Sequence, residues 1–183
     1  MKRGIRLLLS PAICRVLVAC SPAHSSSNLN AAQIRAKLEA IPPDQEVHLT
    51  NKEWQVIMSP QQFYVMRRAG TEAPSLSGNA LDRRKGIYLC SACGNLLYSA
   101  DAKFDSGTGW PSFWQPIRKQ ALHESNTVSA IFGREISCAR CGSHLGHVFN
   151  DGPEPTGLRY CMNAVALTFH EGDGTTKNAQ ANQ

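Results

Sequence analysis

No apolar run in this sequence is long enough to cross a membrane. The best candidate, Leu7 to Ala19, is interrupted by Pro11 and Arg15 and falls short of the roughly 20 residues that a spanning helix needs. An excess of one charge is also missing once position is considered. Of 19 Lys and Arg, Lys2, Arg3, Arg6 and Arg15 precede Cys20 in a segment with no acid, and the remaining fifteen face 14 Asp and Glu. A near-neutral domain with no interleaved basic and aromatic patch offers nucleic acid no footprint. No internal repeat is visible beyond one cysteine motif written twice, so nothing suggests a repeat array. What remains is 183 residues with 42% apolar content. Less a leader and a linker, that is one domain with a modest core.

Residues 1–20 read as a targeting segment: a basic start, an apolar stretch, and Leu17-Val18-Ala19-Cys20 at its end. Those four residues resemble the lipobox of bacterial lipoproteins, which implies a lipid anchor at Cys20 and export to the cell envelope or periplasm. Arg15 departs from that pattern. An acid-free, Arg-rich and Ser-containing segment also suits an organelle transit peptide or a plain secretory signal. In each case Cys14 and Cys20 leave the chemistry. Residues 21–28, with Ser25-Ser26-Ser27, read as a flexible linker. The domain is expected over 29–170 and a disordered tail over 171–183.

Three short helices are expected at the start of the domain. Asn30 with Gln33, Thr50 with Glu53, and Ser59 with Gln62 each have capping-box spacing, and Pro60 suits a first helical position. Leu29 with Ile34 and Leu49 with Trp54 supply hydrophobic staples. Pro42-Pro43 stops the first helix, and Gly70 ends the third. Thr71 to Lys85 reads as loop, with Asp82-Arg83-Arg84-Lys85 as a solvated turn. From Gly86 onward short strands broken by Gly and Pro are expected: Ile87–Leu89, Leu96–Tyr98, Thr127–Phe132, Glu135–Ser137, His147–Phe149, and a last strand from Arg159 to Phe169. Helices first and strands after argue for a mostly β, α+β domain.

Cys90-Ser91-Ala92-Cys93-Gly94 and Cys138-Ala139-Arg140-Cys141-Gly142 are near copies, with 44 residues between Cys93 and Cys138. A C-x-x-C turn ending in Gly can place two thiolates on one ion, and two such turns complete a closed tetrahedral Zn²⁺ site. Cys90, Cys93, Cys138 and Cys141 are therefore expected to hold one structural zinc. Two disulfides or a redox pair are the alternatives, but neither explains why the knuckle occurs twice.

Cys161 is the one thiol outside the leader with no sequence partner. In a strand it shares a face with Arg159 and Asn163, and onward with Val165, Leu167 and Phe169. Taken singly, each neighbouring residue has a blander reading. Cys161 suits a buried core thiol, His144 and His147 structural histidines, Trp110 a core aromatic, Asn163 a bridge at a sheet edge, and Arg159 a carboxylate contact. Set together, Gly109-Trp110-Pro111-Ser112-Phe113, His144-Leu145-Gly146-His147-Val148-Phe149, Arg159-Tyr160-Cys161-Met162-Asn163 and the two cysteine pairs closely resemble the B-type methionine-R-sulfoxide reductases, from about Asn51 to Phe169.

That resemblance implies two small antiparallel sheets leaning together like a tent, with short N-terminal helices and a zinc held by four cysteines. It implies reduction of the R epimer of methionine sulfoxide in proteins, with no organic cofactor. Cys161 would be the nucleophile, His144 and His147 acid and polar anchors, Asn163 and Arg159 support, and Trp110 with Phe149 the pocket for the methyl group. The chemistry is consistent with this. A sulfoxide sulfur is electrophilic only once its oxygen is hydrogen-bonded or protonated, so a thiolate and an acid must stand on either side of it. A free Cys with a pKa near 8.5 is only a few per cent thiolate at neutral pH, and a cation such as Arg159 would raise that share. Attack leaves a sulfenic acid on Cys161.

One position departs from the pattern. Many members carry a second cysteine just before the Gly-Trp-Pro, which resolves the sulfenic acid as an intramolecular disulfide; here that residue is Thr108. An external thiol is expected instead: thioredoxin, glutathione with a glutaredoxin, or a compartment-specific donor. The expected partners are oxidised proteins and that donor, not nucleic acid, with the chain acting as a monomer. A passive binding module on the same fold has no need of a thiol with paired histidines. A thiol peroxidase has no need of Trp110.

Overall fold

The computed structural model describes residues 30–75, 84–129 and 133–172. The leader with Cys20, the linker, Leu29, residues 76–83 and the tail beyond 172 lie outside these, as do residues 130–132 at the end of one expected strand.

All three helices open where their capping boxes place them. α1 (Ala31–Glu39) has Asn30 and Gln33 in reciprocal hydrogen bonds, α2 (Asn51–Ile57) has Thr50 and Glu53, and α3 (Pro60–Arg68) has Ser59 and Gln62 with Pro60 leading. Each box satisfies backbone N–H groups that the first helical turn leaves unpaired, for about 1 kcal/mol. Ile34, Trp54, Val65 and Met66 turn inward from these helices and are buried, as is the staple residue Leu49. α3 ends at Arg68 because Ala69 adopts a left-handed conformation (φ 50°).

Nine strands follow among the described residues: β1 (Gly86–Cys90), β2 (Leu96–Ser99), β3 (Lys103–Phe104), β4 (Ser112–Phe113), β5 (Leu122–Ser129), β6 (Gly133–Cys138), β7 (His144–Phe149), β8 (Arg159–Met162) and β9 (Leu167–Glu171). They form two antiparallel sheets, one of three strands in the order β2-β1-β9 and one of six in the order β3-β4-β8-β7-β6-β5. The aromatics that join them are Tyr98 of β2, stacked on Phe113 of β4 with centroids 4.3 Å apart, and Tyr88 of β1, edge-on to the same ring at 5.0 Å. Leu97, Ile136, Leu145, Val148 and Met162 complete the buried core between the sheets.

The expected last strand is not one strand. After Met162 the chain makes a 3-10 turn at Ala164–Ala166, closed by Ala166 N–H to the Asn163 carbonyl at 3.1 Å, and it then joins the other sheet as β9. The apolar alternation of Val165, Leu167 and Phe169 therefore belongs to a different surface from Cys161. The break falls at Asn163, whose buried amide donates to the Leu145 carbonyl at 3.1 Å and accepts from Glu72 N–H at 3.0 Å. These side-chain bonds satisfy the turn where a ladder stops. Of the charged run, Arg84 and Lys85 lie among the described residues and are exposed, as a solvated turn requires; Arg84 also pairs with Glu171 at 2.9 Å and lies 4.8 Å over the Phe169 ring.

Candidate active site

β8 lies inside the larger sheet, between β4 and β7. Its residues alternate in burial: Tyr160 and Met162 enter the core, while Arg159 and Cys161 face outward and are partly exposed. Cys161 is register partner to His147 of β7 on one side and to Ser112 of β4 on the other. Gly146, partner of Met162, allows this close approach: a Cβ there would lie 2.2 Å from the Cys161 carbonyl oxygen. A cavity of about 290 Å³ opens over Cys161. Trp110, Phe149 and Met162 give it a largely apolar wall, and His147, Asn163 and Thr71 supply polar groups. Such a wall with a few convergent polar groups suits a small apolar group with one hydrogen-bonding atom.

Trp110, His147, Phe149, Cys161 and Asn163 thus meet in one cavity. His144 and Arg159 stand behind it. His144 is buried, its Nδ1 is 2.7 Å from Glu135 Oε1, its Nε2 has no hydrogen-bond partner among the described residues, and its ring stands edge-on to His147 with centroids 5.2 Å apart. Arg159 makes a two-pronged contact with Asp151 (2.9 and 2.8 Å), and its guanidinium lies 4.3 Å over the Phe149 ring. That ring is held by a cation–π contact as well as by its strand.

Charge and burial set the protonation states. Burial pushes the Cys161 thiol above the ordinary cysteine range, against the opposing pull of Arg159, Thr108 and Ser112. Arg159 acts in the expected direction, toward the thiolate, but desolvation outweighs it. Burial, with the neighbouring His144, pushes the His147 imidazole below the ordinary histidine range. The Arg159 guanidinium holds the Asp151 carboxyl below the usual carboxylate range.

Away from the cavity, Cys90, Cys93, Cys138 and Cys141 converge with all four sulfurs within 4.8 Å of one another. The Cys90–Cys141 and Cys93–Cys138 separations are 3.8 and 3.7 Å. These are too long for disulfides, and they match the edge of about 3.8 Å expected for a tetrahedron of sulfurs 2.3 Å from zinc. The donor set fits Zn²⁺. Hydrogen bonds tighten the knuckles: Asn95 Nδ2 donates to Cys138 Sγ at 3.5 Å, and Gly94 and Gly142 N–H close each turn onto Cys90 and Cys138 carbonyls at 2.8 Å. Arg140 spans both knuckles by donating to the Cys93 carbonyl, and it also reaches the Ile41 carbonyl at 2.8 Å.

The SelR domain matches residues 58–171 of the chain, a span that includes all four clustered cysteines and every residue that lines the cavity. The chain is 49% identical over 139 residues to a protein of Methanosarcina mazei named peptide methionine sulfoxide reductase MsrB, covering 74% of this chain and 97% of that protein. Proteins of the same name from Leptospira interrogans and Thiobacillus denitrificans are 44% identical over 127 residues and 48% over 126, covering 69% and 68% of this chain and 97% and 95% of their own lengths. The chain belongs to the B-type methionine-R-sulfoxide reductases. Its activity is reduction of the R epimer of methionine sulfoxide in peptides.

Three residues that sequence reasoning missed complete the reductase site. Glu72 is the most connected. Its N–H donates to Asn163 Oδ1, its carbonyl accepts the Trp110 indole N–H at 3.2 Å, and its carboxylate accepts the backbone N–H groups of Ala164 and of Val165 (3.1 Å). Glu135 orients His144, and Asp151 orients Arg159. Glu135 carried a usable signal, since strand alternation pairs it with His147 in the β6–β7 ladder. Glu72 carried none, lying 91 residues from Asn163 in a stretch without periodicity.

Proposed function

We propose that Cys161 reduces the sulfoxide by taking its oxygen. The observation that supports this most is that Cys161 is the one cysteine, among the described residues, outside the four-sulfur cluster, and it faces the cavity opposite His147. Trp110 and Phe149 receive the methyl group, and Asn163 and His147 hydrogen-bond the oxygen. With its pKa raised, Cys161 rests as a thiol; neutral His147 takes the thiol proton as the sulfur attacks and returns it to the oxygen. The sulfoxide S–O bond breaks and a Cys161 S–O bond forms. Two electrons pass from the cysteine sulfur to the methionine sulfur, and the thiol proton ends on the sulfenic oxygen. Methionine leaves.

His144, held by Glu135, backs the His147 ring, and Arg159 steadies the developing thiolate. Zinc on Cys90, Cys93, Cys138 and Cys141 supplies a cross-link between the β1–β2 and β6–β7 turns and no reactive position, because four thiolates fill its coordination.

Thr108 stands 4.0 Å from Cys161 at the position of the second cysteine of other members, so the sulfenic acid is returned to thiol by two external thiols. The first displaces water to form a mixed disulfide, and the second releases Cys161 and a disulfide product. Thioredoxin, glutathione with a glutaredoxin, or a compartment-specific thiol fills that role. Oxidised proteins of the exported compartment are the clients if residues 1–20 direct export. The test is epimer-pure methionine sulfoxide in a short peptide with dithiothreitol. The R epimer is converted and the S epimer is not, and Cys161→Ser reduces turnover to background; unchanged turnover by Cys161→Ser overturns the assignment.

A further inference from the structure

We propose that Thr108, Ser106 and Ser112 form a reversible hydroxyl relay that solvates the Cys161 sulfur in both its neutral and its charged state, in place of water. The proposal rests on Cys161 being the nucleophile. Thr108 Oγ1 lies 4.0 Å from Cys161 Sγ, at the outer reach of a hydroxyl–sulfur hydrogen bond. Ser106 Oγ lies 2.8 Å from Thr108 Oγ1 and 2.7 Å from Ser112 Oγ, and Ser112 Oγ lies 3.2 Å from the Trp110 carbonyl oxygen. Ser112 is fully buried directly opposite Cys161 in the β4–β8 ladder. The series is therefore anchored at both ends on elements that also build the cavity.

Each hydroxyl has one proton to give. Three hydroxyls in series, with an acceptor at each end, have two fully connected arrangements. With Cys161 as a thiol, Ser112 donates to the Trp110 carbonyl, Ser106 to Ser112 and Thr108 to Ser106, which leaves a Thr108 lone pair for the S–H. With Cys161 as a thiolate, every hydroxyl turns the other way and Thr108 donates to the sulfur. The change needs three torsions and no proton transfer. It gives up one bond to a neutral carbonyl and one weak S–H bond for one to an anion, and charge-assisted bonds are roughly twice as strong. Aligned hydroxyls also polarise one another.

The charged or titratable groups that face Cys161 are Arg159 on its own strand, with Asp151 behind it, and His147 across β7. From β4 and the loop before it, the groups that approach among the described residues are the Thr108 and Ser112 hydroxyls and the uncharged Trp110 ring. The relay thus lowers the cost of ionising a buried thiol on the side that carries no charge, and Thr108, its member nearest the sulfur, pulls the Cys161 thiol down against its burial.

The test is the rate of iodoacetamide alkylation of Cys161 against pH in the zinc-loaded protein, read by mass spectrometry of its peptide. Thr108→Val keeps the shape and removes the donor. It raises the midpoint and slows alkylation at pH 7 by about threefold to tenfold, the scale of one ordinary hydrogen bond. Ser106→Ala, which leaves Thr108 in place but cuts the series, moves the midpoint the same way by less, and Thr108→Ser restores the wild-type profile. A wild-type midpoint in Thr108→Val overturns the proposal. So does a shift in Thr108→Val with none in Ser106→Ala, because Thr108 then acts alone. If Thr108→Val does not fold, the Ser106→Ala and Thr108→Ser profiles decide, and an unmoved Ser106→Ala midpoint counts against the relay. Failure of the nucleophile assignment is distinguishable, because Cys161→Ser would then keep reductase activity.

Discussion

At the scale of the residue, a few side chains line the cavity and Glu72 holds two of them, Asn163 and Trp110. It touches Asn163, the Trp110 indole and the backbone N–H groups of Ala164 and Val165 after β8. Glu72→Gln keeps its size but turns a carboxylate into an amide that cannot accept from both N–H groups at once without directing its own N–H at one of them. The expected result is a fall in kcat/KM of about tenfold or more, the cost of a hydrogen bond to a charged group, with zinc content unchanged; an unaltered kcat/KM would show that the turn after β8 needs no such anchor. Residues whose role is local were legible in the sequence. Cys161, His147, Asn163, Trp110 and Phe149 were named from their motifs and line one cavity. Residues whose role is to hold others were not, because Glu72 and Asp151 act through contacts that only the folded sheet brings into being.

At the scale of the element, every helix start was readable, since a capping box is a property of four consecutive residues. The strand ends were less so. Arg159 to Phe169 alternates well enough to pass for one strand, yet the chain leaves the larger sheet at Asn163 and joins the smaller one at Leu167. Period-2 alternation reports faces but not which sheet they belong to. Two predictions belong here. Gly146→Ala places a Cβ 2.2 Å from the Cys161 carbonyl oxygen and must push β7 from β8. It is expected to cost about 2 kcal/mol in a urea titration and to lower activity further by separating His147 from Cys161.

Glu53 carries the second. Its hydrogen bond to Lys37, with the Thr50 backbone, lowers its pKa to about 2 from the ordinary 4.5. The folded value lies below the unfolded one, so its stabilisation is complete above about 4.5 and is lost as pH falls toward 2. The ion pair between α1 and α2 is at the surface and is expected to contribute about 0.5 kcal/mol. Glu53→Gln should therefore be less stable than the parent at pH 6, with the gap narrowing as pH falls from 4.5 through about 2; a gap as large at pH 2 as at pH 6 would contradict the ion-pair account.

At the scale of the whole molecule, two sheets with a modest shared core are tied at one end by four sulfurs. The knuckles sit at the β1–β2 and β6–β7 turns, one in each sheet, and Arg140 bonds across them. Loading that cluster with zinc adds folding energy directly. Chelation of the purified protein is expected to lower its thermal midpoint by more than about 10 °C, whereas an unchanged midpoint would remove the structural role of the cluster. The twice-written motif made this site legible; how the two knuckles meet depended on the sheets.

In the proposed reaction the Cys161 sulfur accepts one oxygen. A single turnover of the zinc-loaded protein with a methionine-R-sulfoxide peptide, without added thiol and with dimedone present, tests it most directly. The account predicts one methionine released per chain and one dimedone adduct on the Cys161 peptide, with the four zinc cysteines unmodified. Methionine released while Cys161 remains a free thiol, or an internal disulfide formed in equal amount, would contradict it.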